Sequence, residues 1–242
     1  MNENRISLLD TMKSAFYYWR KYFLKIAAVG FVVYLPCQIL IEIVSIEFER
    51  AFPADDPRAL FTLIRFIIES VAILGIVNFI IRKLENEEGC GDDSVGDILL
   101  HGIKKWPKFI GVGFIAGLKI MVYALLLIIP GIYKAVQFSF IDCVVSTNDN
   151  KFTDPSFESE RLVENNWWRV FGFLLLIVLL QIILEFSIII PLFFYSLTSI
   201  TSVVFLVVIS IIETYFIVLK ANYFFNLKKM KNALNSKISD EK

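Results

Sequence analysis

Ionisable side chains set within long apolar runs are where this sequence concentrates its chemical potential. Glu42, Arg65, Glu69, Lys119, Asp142, Glu185 with Gln181, and Glu213 all interrupt otherwise hydrophobic stretches. A charge at the centre of a bilayer costs about 2.5–3.5 kcal/mol on insertion scales, so such groups face inward, pair, or line a hydrated path. Glu69, Lys119, Asp142, Glu185 and Glu213 form the candidate polar core. Arg65 and Glu69 are four residues apart, the spacing at which side chains meet on one helix face, and Glu213 and Lys220 share a face two turns apart. Two chemistries fit. In one, the groups line a water-filled route for an ion or small solute. In the plainer one, Lys119 neutralises Asp142 or Glu69, Arg65, Glu42 and Lys220 reach toward the interface, and the polar groups tie helices together. Five acids against one deeply placed lysine keep the first reading open, because the surplus must be protonated, hydrated or matched by a cation.

Other chemistries have little to stand on. His101 is the only histidine, which argues against a histidine metal site or acid–base pair, and it reads as an interfacial polar residue. Cys37, Cys90 and Cys143 are odd in number and scattered, so neither a disulfide framework nor a zinc or redox spacing is expected. The acidic stretch from Glu85 to Asp93 lacks the alternating ligand positions of a calcium loop and reads as a solvated linker. No Gly-rich phosphate loop or nucleophile elbow is present, so the expectation is a protein that is not an enzyme and needs no cofactor. Formal net charge is zero, and Arg82-Lys83 and Lys104-Lys105 suit lipid headgroups better than nucleic acid. Gly111, Gly113 and Gly117 lie within an apolar run, where small residues mark close helix packing.

The elements that must position these residues are membrane helices. Of 242 residues 57% are hydrophobic and 23 are Phe, more apolar surface than a soluble fold can hide. The expected architecture is all-α: a single integral membrane domain, residues 1–242, with six transmembrane helices arranged as three parallel hairpins. Each hairpin is introduced by an interfacial amphipathic helix, giving repeat-like units at about 5–81, 94–147 and 156–225. Ser7 with Asp10 and Ser94 with Asp97 are cap pairs, and Asp154-Pro155 is a third helix start. Trp19, Trp106 and Trp168 follow Ser7, Ser94 and Ser156 at one constant interval of twelve residues. The first short helix carries an apolar stripe of Leu9, Met12, Phe16, Trp19 and Phe23. The first span runs from Tyr22 to Ile46, bent by Pro36, with a loop from Glu47 to Arg58 before the second span, Ala59 to Ile81. The third span, Phe109 to Ile129, turns at Pro130-Gly131. It returns through a shorter, more polar arm to Thr147 that is short enough to be tilted, half-buried or re-entrant. The N-terminal apolar run carries no signal-cleavage pattern and is expected to be retained.

Arg and Lys cluster before the first span, between spans two and three and between four and five, and after span six. The positive-inside rule then predicts a multi-pass protein of the cell membrane with both termini cytoplasmic. Trp19, Trp106, Trp167 and Trp168 stand beside basic residues at the predicted cytoplasmic ends, as interfacial anchors do.

Pro130-Gly131-Ile132-Tyr133, then a polar arm, then Ser159, Leu162 and Trp168-Arg169 before a fresh apolar run, together resemble a known pattern. It is that of the membrane domain attached to some bacterial glycerophosphodiester phosphodiesterases, and of related stand-alone six-span inner-membrane proteins. The phosphodiesterase chemistry of that family resides in a separate soluble barrel, so no catalytic residue is carried across. The resemblance implies a membrane module handling lipids or docking partners. The leading expectation is therefore a non-enzymatic integral membrane protein serving membrane organisation, lipid interaction or assembly with other membrane proteins. The alternative is a small transporter or channel using Lys119, Asp142, Glu185 and Glu213, and an intramembrane lipid enzyme is a third class.

Overall fold

A computed structural model describes residues 7–51, 58–85, 93–147, 154–195 and 199–240. The chain forms nine α-helices among these residues and no strand. They are α1 (Leu8–Lys21), α2 (Phe23–Ala51), α3 (Arg58–Glu85), α4 (Val95–Leu126) and α5 (Ile128–Gln137). They continue with α6 (Ile141–Thr147), α7 (Pro155–Val163), a 3-10 turn Glu164–Asn166, α8 (Trp167–Tyr195) and α9 (Ser199–Asp240). Six segments are long and apolar enough to cross a membrane: Phe23–Ile41, Leu60–Glu85, Val95–Leu126, Ile128–Thr147, Pro155–Leu184 and Val208–Ala233. The protein is an all-α polytopic membrane bundle.

Helix starts follow the expected chemistry. The Ser7 hydroxyl accepts from the Asp10 amide at 3.3 Å. At Ser94 a full capping box forms, with the Asp97 carboxylate returning to the Ser94 amide at 3.0 Å. Asp154 caps α7 through the Ser156 amide, with Pro155 at the first helical position, where its missing N–H costs nothing. The three starts then diverge. α1 breaks from α2 at Tyr22, and α7 is separated from α8 by the 3-10 turn. The second unit shows no separate interfacial helix, because α4 runs unbroken from Val95 through Pro107 to Leu126. Likewise α2 absorbs Pro36 and continues beyond the expected end at Ile46 to Ala51, its last turn holding an Arg50–Glu47 pair at 2.9 Å.

α3 is the centre of the bundle and packs against α2, α4, α6 and α9. Its contact with α4 is backbone on backbone. A Cβ at Gly102 would lie 2.1 Å from the Val71 carbonyl oxygen, and one at Gly75 would lie 2.5 Å from that of Ile98. In lipid the apolar side chains gain little from leaving their surroundings, so close van der Waals packing of this kind holds helices together. The expected packing glycines are elsewhere. Gly111, Gly113 and Gly117 have open space where a side chain would go. They sit on the outward half of α4, whose Phe114, Ile115, Leu118 and Leu125 are exposed as a lipid-facing surface must be.

α1 is the expected first short helix, and its contact with the bundle lies beside its apolar stripe. It packs lengthwise on α9, burying Thr11, Ala15 and Tyr18, while the apolar stripe residues Leu9 and Phe16 are 62% and 51% exposed. The face turned to α9 carries hydroxyls that the amides of α9 bond. Asn222 Nδ2 donates to Ser14 Oγ at 2.8 Å, and Asn226 Nδ2 to Thr11 Oγ1 at 3.4 Å. The exposed Leu9 and Phe16 are thereby left for lipid.

Candidate intramembrane binding cavity

The turn at the end of α4 is built differently from the expected Pro130-Gly131 corner. Leu127 takes an extended backbone and ends α4, and Pro130 and Gly131 fall inside the first turn of α5. There Pro130 lacks only an N–H that has no intrahelical partner in any case. Gly131 is needed for approach: a Cβ at this position would sit 2.7 Å from that of Ala124 on the outgoing helix.

The returning arm is broken at residues 138–140, between α5 and α6. Unpaired backbone within a membrane must be satisfied by protein or by a polar cavity. One residue does both halves of that work here. Buried Ser159 on α7 donates to the Gln137 carbonyl at 2.6 Å and accepts from the Phe140 amide at 3.3 Å. Lys134 pairs with Glu160 at 2.9 Å, and Trp167 Nε1 donates to the Tyr133 carbonyl at 3.3 Å with the two rings stacked 5.4 Å apart. α7 thus runs back along α5, antiparallel to it, and returns the chain to the level of Tyr133. The charge-derived sidedness set Tyr133 and Trp167 on opposite membrane faces, and their direct contact is at odds with it.

The break places Asp142 in the interior. Asp142 is 8% exposed and its Oδ2 accepts from Lys220 Nζ of α9 at 2.7 Å. On the other side of the same space, Arg65 Nε donates to Glu69 Oε1 at 2.8 Å, and its second nitrogen lies 3.8 Å from Glu213 Oε1. Glu69, Asp142, Glu213 and Lys220 line one cavity of about 440 Å³ together with Tyr34, Ser139 and Gln181. Its remaining wall is apolar and comes from α3, α8 and α9, including Ile73, Leu174, Ile177 and Phe216. Two polar atoms of lining residues, Asp142 Oδ1 and Ser139 Oγ, are buried with no hydrogen-bond partner.

Of the expected polar core, the structure unites Glu69, Asp142 and Glu213. Lys119 is not among them. It is exposed on the outward half of α4, with its ammonium 5.6 Å from the Phe138 ring centre, and it neutralises neither Asp142 nor Glu69. Asp142 pairs instead with Lys220, which was expected to reach toward the interface, while Glu69 pairs with Arg65 as their four-residue spacing allowed. The reason is geometric: the break in the arm turns Asp142 toward α9 and away from α4. Glu42 and Glu185 lie on α2 and α8 with side chains outside the described residues, as do Cys90 and the loop portions 52–57 and 86–92. Residues that spacing alone did not reveal are Tyr34, Ser159 and Lys220's pairing. Gln137, Ser139 and Asp142 did give a signal, as polar groups crowded into one short arm.

The tryptophans are only partly anchors. Trp19 Nε1 donates to Thr214 Oγ1 at 3.1 Å, and Trp106 Nε1 to the Ile67 carbonyl at 2.8 Å, so with Trp167 three indoles bond within the protein. A half-buried indole N–H takes whatever acceptor the neighbouring helix offers. Trp168, 78% exposed, is free to meet an interface. His101 is likewise drawn inward, its Nε2 lying 2.9 Å from the Ser146 carbonyl and 2.7 Å from Asn78 Nδ2.

Fold and cavity together define a class, a multi-pass helical membrane protein with a partly open cavity between its helices, lined by apolar and ionisable side chains. No family model matches the chain, and no curated protein and no solved structure matches it.

Proposed function

We propose that this is a non-enzymatic protein of the cell membrane that takes a small solute into the bundle and passes it across the bilayer. One observation carries the reading: three carboxylates that the chain delivers from α3, α6 and α9 meet at a single cavity. Polar groups whose only duty is to tie helices together have no need of a shared space. Charges at this depth that face inward and line a cavity are the usual mark of a solute path, as are helices broken beside it. The membrane-organising role expected from sequence has no comparable geometric support, and Lys119 has no part in the path.

The test is flux from proteoliposomes, using a panel of small cations, anions and neutral solutes, for wild type, Asp142→Asn and Glu213→Gln. Wild type is expected to pass cations faster than protein-free vesicles, and both variants to pass them more slowly. Equal leak from all three proteins would retire the proposal.

A further inference from the structure

We infer that the corner where α5 meets α8 binds one phospholipid, a zwitterionic one whose headgroup ends in a primary ammonium. An open cavity of about 600 Å³ lies there, between the start of α5 and residues 164–169, which lead into α8. It shares no lining residue with the interior cavity, so it stands whether or not a solute crosses the bundle.

The wall of this corner is aromatic and ordered in advance. Trp167 Nε1 is held by the Tyr133 carbonyl, and the Trp167 ring stacks on those of Tyr133 and Phe171, at 5.4 and 5.1 Å. Trp168 meets Trp167 edge-on at 4.8 Å. A wall fixed before binding loses little freedom when a ligand arrives.

The rim is apolar in one part and polar in the other. Ile129 and Ile132 are exposed and continue the outward aliphatic surface of Leu125, Leu126, Leu127 and Ile128. Glu164, Asn165, Asn166 and Arg169 supply the polar part, and from Val170 to Leu180 the chain has no polar or charged side chain. The corner therefore sits where hydrocarbon gives way to headgroups, the level at which Trp and Tyr gather. In a bilayer the molecule that covers both parts of such a rim is a phospholipid, its acyl chain along the isoleucines and its head on the polar side.

The lining charges choose the headgroup. Arg169 and Glu164 are both exposed, one of each sign, and neither takes part in a salt bridge. Arg169 makes one long bond, 3.4 Å, to Asn166 Oδ1, and Lys231 of α9, within electrostatic reach of Glu164, bonds to the Arg161 carbonyl. A guanidinium fork matches the acceptor oxygens of a phosphate. A carboxylate only accepts, so Glu164 suits a headgroup with N–H donors, which a primary ammonium has and a trimethylated one lacks.

The test is native mass spectrometry of the full chain in micelles holding equal amounts of dioleoyl phosphatidylethanolamine, phosphatidylcholine and phosphatidylglycerol. One firmly held lipid is expected, with the ethanolamine lipid favoured about tenfold, as a charge-assisted hydrogen bond would give. Arg169→Gln should lower retention of all three lipids, and Glu164→Gln should abolish the preference for ethanolamine over choline. Both side chains are exposed, so the fold tolerates either change. Glycerophosphoethanolamine, the same headgroup without its chains, should not displace the lipid at equal concentration. Absence of a held lipid, equal retention of the three, preference for the glycerol lipid, displacement by the chainless headgroup, or either variant matching wild type would each overturn the assignment.

Discussion

Removing the ammonium from the Asp142–Lys220 pair tests most directly whether the interior is built as described. Lys220→Met keeps most of the side-chain length and deletes the charge. The contact is short, 2.7 Å, with side-chain exposures of 27% for Lys220 and 10% for Asp142, so water screens it poorly. At an effective dielectric of about 20 the Coulomb attraction at this distance is roughly 6 kcal/mol before desolvation. Stripping one partner from such a buried pair leaves the other uncompensated and typically costs about 3–5 kcal/mol. Replacing both by uncharged residues of similar shape costs much less, since two desolvation penalties vanish along with the attraction. The double variant Asp142→Asn/Lys220→Met is therefore expected to recover most of the loss. Reversible unfolding in mixed micelles of wild type, both single variants and the double variant closes the cycle. A coupling energy under about 1 kcal/mol, or a double variant no more stable than Lys220→Met, would refute the reasoning.

Three further outcomes are expected. Gly102→Ala drives a Cβ to 2.1 Å from the Val71 carbonyl oxygen and should destabilise by about 1–3 kcal/mol or more, while Gly113→Ala, in open space within the same helix, should leave the melting temperature unchanged or raise it slightly. Ser159→Ala strands the Gln137 carbonyl and the Phe140 amide at once and should cost about 1–3 kcal/mol, visible as faster amide exchange confined to the break between α5 and α6. Single cysteines replacing Tyr133 and Trp168, with the native cysteines removed, should react with impermeant reagents from the same side of sealed vesicles. Labelling from opposite sides would contradict the stacking of Tyr133 on Trp167.

The fold was legible because lipid constrains a chain so strongly. Long apolar runs, their flanking caps at Ser7, Ser94 and Asp154, and the polar returning arm could all be read from residue types. What failed was which face of a helix looks where. Leu9 and Phe16 stay outside as an interfacial stripe does, but nothing in their spacing showed that α9 would cover Thr11, Ala15 and Tyr18. The packing glycines were misplaced for the same reason. A glycine packs where another backbone arrives, and nothing in the run Gly111–Gly117 tells it apart from Gly75 and Gly102, which lie among larger neighbours. Glu69, Asp142 and Glu213 were found because charge in an apolar run is conspicuous at any register. Lys119 was misassigned because pairing depends on the break at residues 138–140, a local event that only Ser159, nineteen residues on from Phe140, makes tenable.

α9 is a single rod of 42 residues, about 63 Å long, roughly twice the thickness of a hydrocarbon core. Glu213 and Lys220 sit on it, and so do the amides of Asn222 and Asn226 that grip α1. Stiffness links these stations mechanically. A rigid rotation of α9 large enough to draw Lys220 off Asp142 would also strain the bonds from Asn222 to Ser14 and from Asn226 to Thr11, so any movement of this helix as a unit is shared with α1.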